Sequence, residues 1–344
     1  MRIALITTTI YVPKVLELYR SLNKDVSIFV AGDKKTPHTD TRKFVEGLGN
    51  AVYYSDSDQE KLGYSSSALI GWNKIMRRNI ALLEAIRSKP DIIISIDDDN
   101  LPVDKNYFSD IAAILSKPFN GLKANSKSHW FNVGQFLGTK IYHRGFPYSH
   151  RHTDLGVQLS AVRNGKVGVA AGLWLGDPDI DAMERITNRP TVYDISDTLR
   201  AGLAIDTSCL TPFNSQNTAY LAELAPLMMV LISVGRYDDI WASYIAQRVM
   251  SEYGYMVHFG KPLVWQERNQ QNLWVNLRDE LYGMENTEKF CQDLAQCDLS
   301  SGQSVLDKLN VLYEQLQGKP YLSPAVYEMG KVWCKDVALA LSKG

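Results

Sequence analysis

Three consecutive aspartates, Asp97, Asp98 and Asp99, follow a short apolar run of four isoleucines and one serine at residues 92–96. A run this short and rich in β-branched residues is typical of a buried strand. Open α/β sheets bind ligands beyond the carboxyl ends of their strands, and adjacent like charges are costly unless a cation neutralises them. Carboxylate oxygens suit Mg2+ or Mn2+ bridging a diphosphate. The pattern therefore predicts a metal and phosphate site; a solvated acidic turn is the alternative.

The composition narrows the class of protein. The chain has 344 residues, 45% of them hydrophobic, which is enough for a full core. The net charge of -1 gives no basic field of the kind that nucleic-acid binding needs, so we expect no nucleic-acid partner. No apolar stretch reaches the ~18 residues of a membrane span, no secretory signal pattern opens the chain, and the cysteines show no paired CxxC spacing. We expect a cytoplasmic protein without a membrane span.

Strand and helix patterns alternate up to the aspartates. Strands are predicted at 2–7, 26–31 and 51–54, helices at 13–22 and 68–87, and a polar loop at 55–67. This alternation predicts an α/β fold with a Rossmann-like, mostly parallel central sheet flanked by helices. Neither G-x-G-x-x-G after the first strand nor a P-loop occurs, which argues against dinucleotide-dependent redox chemistry and P-loop phosphoryl transfer.

The rest of the chain divides into two parts. Residues 121–218 are punctuated by Gly, Asn and Pro, as loops that carry a site often are. From about 286 the pattern becomes that of amphipathic helices. We therefore predict one large unit over 1–285 and a helical C-terminal extension over 286–344.

Three residues near the predicted sheet edge are candidates for nucleotide binding. Asp33, at the tip of the second strand, could accept a hydrogen bond from a base or ribose, although an Asp-Lys turn fits the sequence equally well. Arg77 and Arg78 precede the aspartates, and a guanidinium at either position could fork onto phosphate oxygens. A solvated helix face is the alternative for both arginines.

Arg144 and Arg151 flank a Gly/Pro turn in an otherwise uncharged stretch. By itself this pattern favours a structural interpretation, in which the two arginines pair with local carboxylates such as Asp154.

Two acidic segments are candidates for sugar handling. Trp174, Asp177 and Asp179 end an apolar run: an indole can pack on a pyranose while carboxylates accept from its hydroxyls. An Asp-rich turn beside a core tryptophan is the alternative. Asp238 and Asp239 precede an amphipathic helix, where they could cap the helix or act as a general base.

Taken together, these segments resemble the reversibly glycosylated polypeptides, a family that includes UDP-arabinopyranose mutases and has a GT-A-type glycosyltransferase fold. The matching segments occur in the family's order, at 95–99, 144–151 (RGFPYSHR), 172–181, 235–242 (GRYDDIWA) and 275–277.

The resemblance implies roles for these residues. Asp97–Asp99 would hold Mn2+ or Mg2+ and the diphosphate of a UDP-sugar, and Asp33 would contact the uridine. Arg144 matches the arginine that becomes reversibly glycosylated, and Arg151 matches its essential companion. Because arginine stays protonated and is a poor nucleophile, stabilisation of charge is the alternative role for Arg144.

The sequence departs from the family at two places. Gln266 occupies the position where the family commonly has a histidine. If that histidine is a metal ligand, His258 could take its place, although an ordinary core histidine is the simpler interpretation of His258. Asn100 directly follows the aspartates, where plant members have a cysteine-containing segment.

Three functions follow as hypotheses. The first is a metal-dependent UDP-sugar mutase with transient protein glycosylation, of the type that converts UDP-arabinopyranose to UDP-arabinofuranose. The second is a glycosyltransferase that moves the sugar to an external acceptor, with Asp238 or Asp239 as base; fold alone does not separate the two. The third is a non-catalytic scaffold that glycosylates itself. The resemblance also implies a homo-oligomer formed through the C-terminal helices.

Overall fold

The computed structural model describes residues 1–268 and 271–343. Their strands form a ten-stranded mixed sheet in the order β3-β2-β1-β4-β9-β7-β6-β8-β10-β5. The strands are β1 (Ile3–Thr8), β2 (Ser27–Ala31), β3 (Ala51–Tyr54), β4 (Ile92–Ser95), β5 (Asn100–Pro102), β6 (Phe119–Ser126), β7 (Val157–Gly176), β8 (Leu203–Ile205), β9 (Thr218–Leu221) and β10 (Tyr255–Gln266).

The helices of the described residues surround this sheet. They are α1 (Leu16–Leu22), α2 (His38–Gly47), α3 (Asp56–Lys61), α4 (Ser66–Ile70), α5 (Arg78–Arg87), α6 (Tyr107–Ser116), α7 (Ala182–Thr187), α8 (Asp197–Ala201), α9 (Asp238–Ser251), α10 (Leu273–Gln296), α11 (Val305–Leu316) and α12 (Pro324–Lys343). The α/β fold predicted from the sequence is confirmed.

The sheet has one continuous block of parallel strands, β3-β2-β1-β4, and two further parallel pairs, β7 with β10 and β6 with β8. β2 and β4 flank β1, and β3 flanks β2, all in parallel register, as the alternation predicts. Beyond β4 the sheet is mixed, because β9 pairs antiparallel with both β4 and β7. Two antiparallel steps restore the direction, so β7 runs the same way as β4, and β10 is parallel to β7. The carboxyl ends of β1, β2, β4, β7 and β10 therefore lie at one edge.

Two local predictions are wrong. The single helix predicted at 68–87 is broken into α4, a 3-10 turn at Ile75–Arg77 and α5. The break follows from Gly71 and Asn73, which adopt φ values of 67° and 59° that a helix cannot contain. The loop predicted at 55–67 contains α3, which begins at a capping box formed by Ser55 and Asp58.

The C-terminal helices share the core of the sheet. Leu309, Leu312 and Leu316 are buried along one face of α11, as expected of an amphipathic helix, and Trp333 of α12 is fully buried. α12 packs on α4 and α5. Position 285, the predicted domain boundary, lies inside α10, so the division at this point stays a prediction. In the described part of the chain, no helix is long and apolar enough to cross a membrane.

Candidate functional site

The three aspartates lie at the carboxyl edge of the sheet, directly after β4, and each has a partner from a different segment. Thr9, which follows β1, donates its hydroxyl to Asp98 at 2.5 Å. Arg78 at the start of α5 forms an ion pair with Asp97. Gln266 at the end of β10 donates its amide to Asp99 at 3.5 Å. The location predicted for the acidic cluster is therefore confirmed.

Burial and mutual repulsion act on two of the aspartates. Burial, followed by the negative charge of Asp97, raises the pKa of Asp99 to about 6. Burial also raises the pKa of Asp98, although the Thr9 hydroxyl opposes the shift. Asp97, whose charge contributes to both shifts, forms an ion pair with the adjacent guanidinium of Arg78.

The carboxylates suit a hard cation, but they do not form a complete cage. No group of three or more His, Cys, Asp or Glu side chains within residues 1–268 and 271–343 is arranged to hold a metal ion. Mg2+ commonly takes only one or two protein carboxylates and completes its shell with water and substrate phosphates. Asp98 and Asp99 fit that mode. Binding of a cation by all three aspartates stays a prediction.

A cleft of about 470 Å³ opens beside Asp98 and is also lined by Asp33. The buried Asp33 carboxylate accepts hydrogen bonds from the backbone amides of Lys34 (2.7 Å), Asn73 (2.8 Å) and Lys74 (2.9 Å). Asp33 thus fixes the loop that follows Gly71 and forms part of the cleft wall. A carboxylate has about four lone-pair sites, so it retains acceptor capacity for the predicted nucleoside contact.

The two adjacent arginines have different environments. Arg77 is fully buried away from the aspartates: its Nε donates to Gln59 Oε1 at 2.8 Å, and its guanidinium lies 4.0 Å from the centre of the Trp72 ring. The prediction that it is available to a diphosphate does not fit this position, because the break after α4 leaves its side chain inside the fold. Arg78 does lie at the site, where it donates to Ser215 O at 2.9 Å in addition to Asp97.

Arg144 is held between two aspartates. Its Nε and Nη2 donate to the two oxygens of Asp179, each at 3.0 Å, and its Nη1 and Nη2 contact Asp239 at 3.1 and 3.4 Å. Nη1 also donates to the carbonyl of Arg236. Burial alone would lower the pKa of Arg144, but the charges of Asp179 and Asp239 raise it well above its ordinary value. The structural interpretation was right that Arg144 pairs with carboxylates and wrong about which ones.

Arg151 is buried in a separate pair. It forms an ion pair with Asp181, which also caps α7 by accepting from the Glu184 amide at 2.9 Å. The Arg151 guanidinium lies 3.9 Å from the centre of the Tyr148 ring. Asp154, the partner suggested by sequence proximity, instead accepts from the Gly156 amide at 2.9 Å.

The predicted sugar-binding loop divides into a core residue and two anchored carboxylates. Trp174 is only 2% exposed and packs against His143, so its indole does not offer a face to a sugar; the alternative of a core tryptophan is the one that the structure supports. Asp177 forms an ion pair with Arg185 at 3.0 Å. Asp179 is buried, and Asn214 donates to it at 2.7 Å.

The adjacent aspartates Asp238 and Asp239 have different partners and opposite pKa shifts. Asp239 accepts from the Ser215 amide at 2.9 Å as well as from Arg144, and although burial would raise its pKa, Arg144 lowers it. Asp238 has no ion pair within the described residues; burial and then the charge of Asp239 raise its pKa to about 7. Both lie in the first turn of α9, but neither side chain is its N-cap. Of the two, Asp238 has the properties of a general base near neutral pH.

A continuous polar network joins these groups. The Ser215 hydroxyl accepts a hydrogen bond from Arg78, and the Ser215 amide donates one to Asp239. Asp239 in turn accepts a hydrogen bond from Arg144. From Arg144 the network continues through Asp179 to Arg268, whose Nη2 contacts Asp179 and Gln266 at 3.4 Å each.

Sequence reasoning missed Asn214, Ser215 and Arg268. The first two lie in a polar segment before β9, and Asn and Ser clusters near a strand are the only signal that could have suggested them. Gln266, identified as a departure from the family, does contact Asp99. His258 lies eight residues earlier in β10, buried against Phe119, as expected for a core histidine.

Comparison with known proteins gives relatives in plants. The chain is 30% identical over 221 residues to "Probable UDP-arabinopyranose mutase 4" of Arabidopsis thaliana, with 60% of this chain and 56% of that relative covered. It is 25% identical over 317 residues to "UDP-arabinopyranose mutase 1" of Oryza sativa subsp. japonica, covering 86% and 80%. The chain thus spans little more than half the length of the Arabidopsis relative.

A comparison with solved structures matches the "Mannosyltransferase PcManGT from Pyrobaculum calidifontis in complex with GDP-Man and Mn2+". Its TM-score is 0.40 at 12% identity, covering 99% of this chain and 87% of that one. The model of the family described as "Reversibly glycosylated polypeptide" matches residues 2–316, and the chain therefore belongs to the reversibly glycosylated polypeptide family.

Proposed function

We propose that this protein is a UDP-sugar enzyme with a GT-A-type fold, and that it is a mutase of the UDP-arabinopyranose to UDP-arabinofuranose type. Membership in the family and the names of the plant relatives support the reaction. The acidic edge after β4 and the adjoining cleft support a nucleotide-sugar substrate.

The observation that carries the proposal is the network between Asp97 and Arg144. It passes through Arg78, Ser215 and Asp239, so the side proposed for the diphosphate and the side proposed for the sugar are parts of one assembly. A mutase needs such an assembly because it must release the glycosyl group from UDP, hold it and return it to the same UDP.

We assign the nucleoside to the cleft lined by Asp33, and the diphosphate to Asp98 and Asp99 together with Mn2+ or Mg2+. Such a metal would stabilise the negative charge of the departing diphosphate. The raised pKa of Asp99, caused first by burial and then by Asp97, is what a cation at this position would counteract.

We propose that Arg144 acts by position and charge. A guanidinium attacks only when deprotonated, and the carboxylates of Asp179 and Asp239 raise its pKa despite burial. Attachment of a sugar to Arg144 would also require it to give up contacts on both sides. Asp238, which has no cation paired to it among the described residues, is the group proposed to move the proton during ring exchange. It would take the proton of the hydroxyl whose oxygen bonds to the anomeric carbon, and give it to the old ring oxygen as the bond from that oxygen to the anomeric carbon breaks.

The second candidate is a glycosyltransferase. Asp238 favours it, because a carboxylate with a pKa raised by burial and by Asp239 suits removal of a proton from an acceptor hydroxyl. In that reaction the acceptor oxygen bonds to the anomeric carbon while the bond to the diphosphate breaks.

The test is chromatographic. Wild-type protein and an Arg144→Lys variant are incubated with UDP-arabinopyranose and Mn2+, and the furanose isomer is measured. Lysine keeps the charge but not the fork that reaches both Asp179 and Asp239, so we expect the variant to lose most of the isomer. Arg200→Lys is the matched control, because Arg200 forms an exposed ion pair with Asp194.

The outcomes separate the candidates. An isomer formed by the wild type and by Arg200→Lys supports the mutase. UDP-sugar binding without isomer, but with transfer to an acceptor, supports the transferase. Absence of UDP-sugar binding in calorimetry refutes both. We also propose a homo-oligomer; a monomeric mass in light scattering would refute it.

A further inference from the structure

Arg268 is an arginine whose hydrogen-bonding capacity is largely unused. Its side chain is 12% exposed, and its Nη2 makes two long contacts of 3.4 Å, to Asp179 Oδ1 and to Gln266 Oε1. Its buried Nε has no acceptor among residues 1–268 and 271–343. A buried donor without an acceptor is costly, so this guanidinium is suited to a partner with several acceptor oxygens.

Other buried arginines of the site are better satisfied. Arg144 uses both oxygens of Asp179 at 3.0 Å. Arg78 and Arg151 also have an Nε without an acceptor in the described part of the chain, but each forms a close ion pair with its own aspartate. Arg268 shares Asp179 with Arg144 at a longer distance, so its charge is the least compensated of the four.

The position of Arg268 is fixed by its main chain. The backbone amide of Arg268 donates a hydrogen bond to Asp177 Oδ2 at 3.2 Å. Beside it, the backbone amide of Asp177 donates a hydrogen bond to the Gln266 carbonyl at 3.0 Å. The adjacent Gln266 contacts Asp99, and the positive charge of Arg268 acts on Asp99 against the effect of burial. Gln271, three positions further on, lines the cleft that Asp33 and Asp98 also line. Arg268 therefore lies between the acidic cluster and the Asp179 side of the network.

We propose that Arg268 donates hydrogen bonds to the diphosphate of the nucleotide sugar. The inference rests on the proposed function and adds a binding residue to it. A guanidinium can direct two parallel N–H groups at phosphate oxygens, and a diphosphate supplies the several acceptors that Arg268 lacks. Asp179 contacts both arginines in different ways. It binds Arg144 through both carboxylate oxygens, and it contacts Arg268 through one, which leaves most of the Arg268 donors available to the ligand.

The experiment compares ligands that differ only in phosphate. Binding of UDP and of uridine is measured by calorimetry for the wild type, Arg268→Gln and Arg268→Lys, with Mn2+ and again with a chelator. We expect Arg268→Gln to weaken UDP binding by about tenfold to hundredfold, as for loss of charge-assisted hydrogen bonds, and to leave uridine binding unchanged. Lysine keeps the charge without the fork, so its effect should be intermediate.

Arg185→Gln is the matched control. Arg185 lies nearby, but its guanidinium is used by Asp177 at 3.0 Å and by Pro178 O at 2.6 Å. It should change UDP binding little, and an equal loss in Arg185→Gln would mean that only the net charge matters.

Three results overturn the assignment while leaving the proposed function intact: UDP binding unchanged in Arg268→Gln, an equal loss for uridine, or a loss that disappears with the chelator. The last would place the effect in the aspartate cluster instead of the phosphate contact. If the wild type binds UDP under neither condition, the proposed function fails first.

Discussion

Replacement of Asp179 by asparagine tests whether the network is a rigid, mutually dependent assembly. Asp179 is 1% exposed and accepts four hydrogen bonds: two from Arg144 at 3.0 Å, one from Asn214 at 2.7 Å and one from Arg268 at 3.4 Å. Asparagine keeps the shape, but it turns one acceptor oxygen into a donor amide. That amide would face donors of its neighbours, and Arg144 would lose half of its charge compensation.

The magnitude follows from burial. Removing one partner of a buried ion pair costs about 3–5 kcal/mol because it leaves the other charge uncompensated. Asp239 still contacts Arg144, so we expect the lower end of that range. In a chain of 344 residues the loss corresponds to a fall in Tm of about 4–6 °C. The matched control is Asp177→Asn: Asp177 is 37% exposed in its pair with Arg185, so the change should cost at most about 1 kcal/mol.

Thermal unfolding followed by circular dichroism measures both variants, first at pH 7 and then at lower pH. Although burial would raise it, Arg144 and Arg268 hold the folded-state pKa of Asp179 well below its ordinary value. Its stabilising contribution is therefore complete above the unfolded-state pKa of about 3.9 and is lost as the pH falls below it. The gap between wild type and Asp179→Asn should narrow in acid. Equal Tm values for Asp179→Asn and Asp177→Asn at pH 7 would refute the reasoning.

Two further predictions concern activity. Because burial and Asp239 raise the pKa of Asp238 to about 7, kcat/KM of the wild type should fall as the pH decreases below about 7. In Asp238→Asn, kcat/KM should be about 100-fold or more lower and should not show this fall. If the variant retains the same pH dependence, Asp238 is not the base. Asp336 of α12 accepts hydrogen bonds from the Ser65 and Ser66 amides, at 3.1 and 2.7 Å, at the start of α4. The chain continues from α4 into the wall of the cleft. Asp336→Asn should therefore raise KM for the UDP-sugar several-fold and leave kcat unchanged. The neighbouring exposed Lys335→Gln should change neither constant, and a fall in kcat at constant KM would contradict the positioning role of Asp336.

The sequence predicts those features that depend on short-range pattern. The isoleucine run before Asp97 is apolar except for Ser95 and ends in charge, so both the strand and its polar carboxyl end could be predicted. The same reasoning failed between 68 and 87, where apolar spacing suggested one helix. There a Gly and an Asn with positive φ interrupt the pattern, and Asp33, about forty positions earlier, holds the resulting loop.

The partners of the arginines could not be predicted because they are distant in the sequence. Asp154 lies close to both Arg144 and Arg151, yet Arg144 pairs with carboxylates 35 and 95 positions away. These contacts depend on β4, β7 and β10 pointing the same way, which two antiparallel steps through β9 bring about. Strand patterns do not encode that order. Only the family resemblance suggested that the segments near Arg144 and Asp179 belong to one site.

The arginines of this site differ in how many of their hydrogen-bond donors are already used within the protein. The resemblance directs attention to Arg144, but a guanidinium bound on both sides by carboxylates is strongly held in its charged form and has little capacity for a ligand. No motif in the sequence indicates a role for Arg268, yet beside the acidic cluster this residue has hydrogen-bond donors that no acceptor in the described residues uses. An arginine that must stay in place is best saturated, and an arginine that must bind an anion is best left partly unsatisfied. Asp179 allows both conditions in one buried cluster, because it binds Arg144 in bidentate fashion and Arg268 with a single long contact.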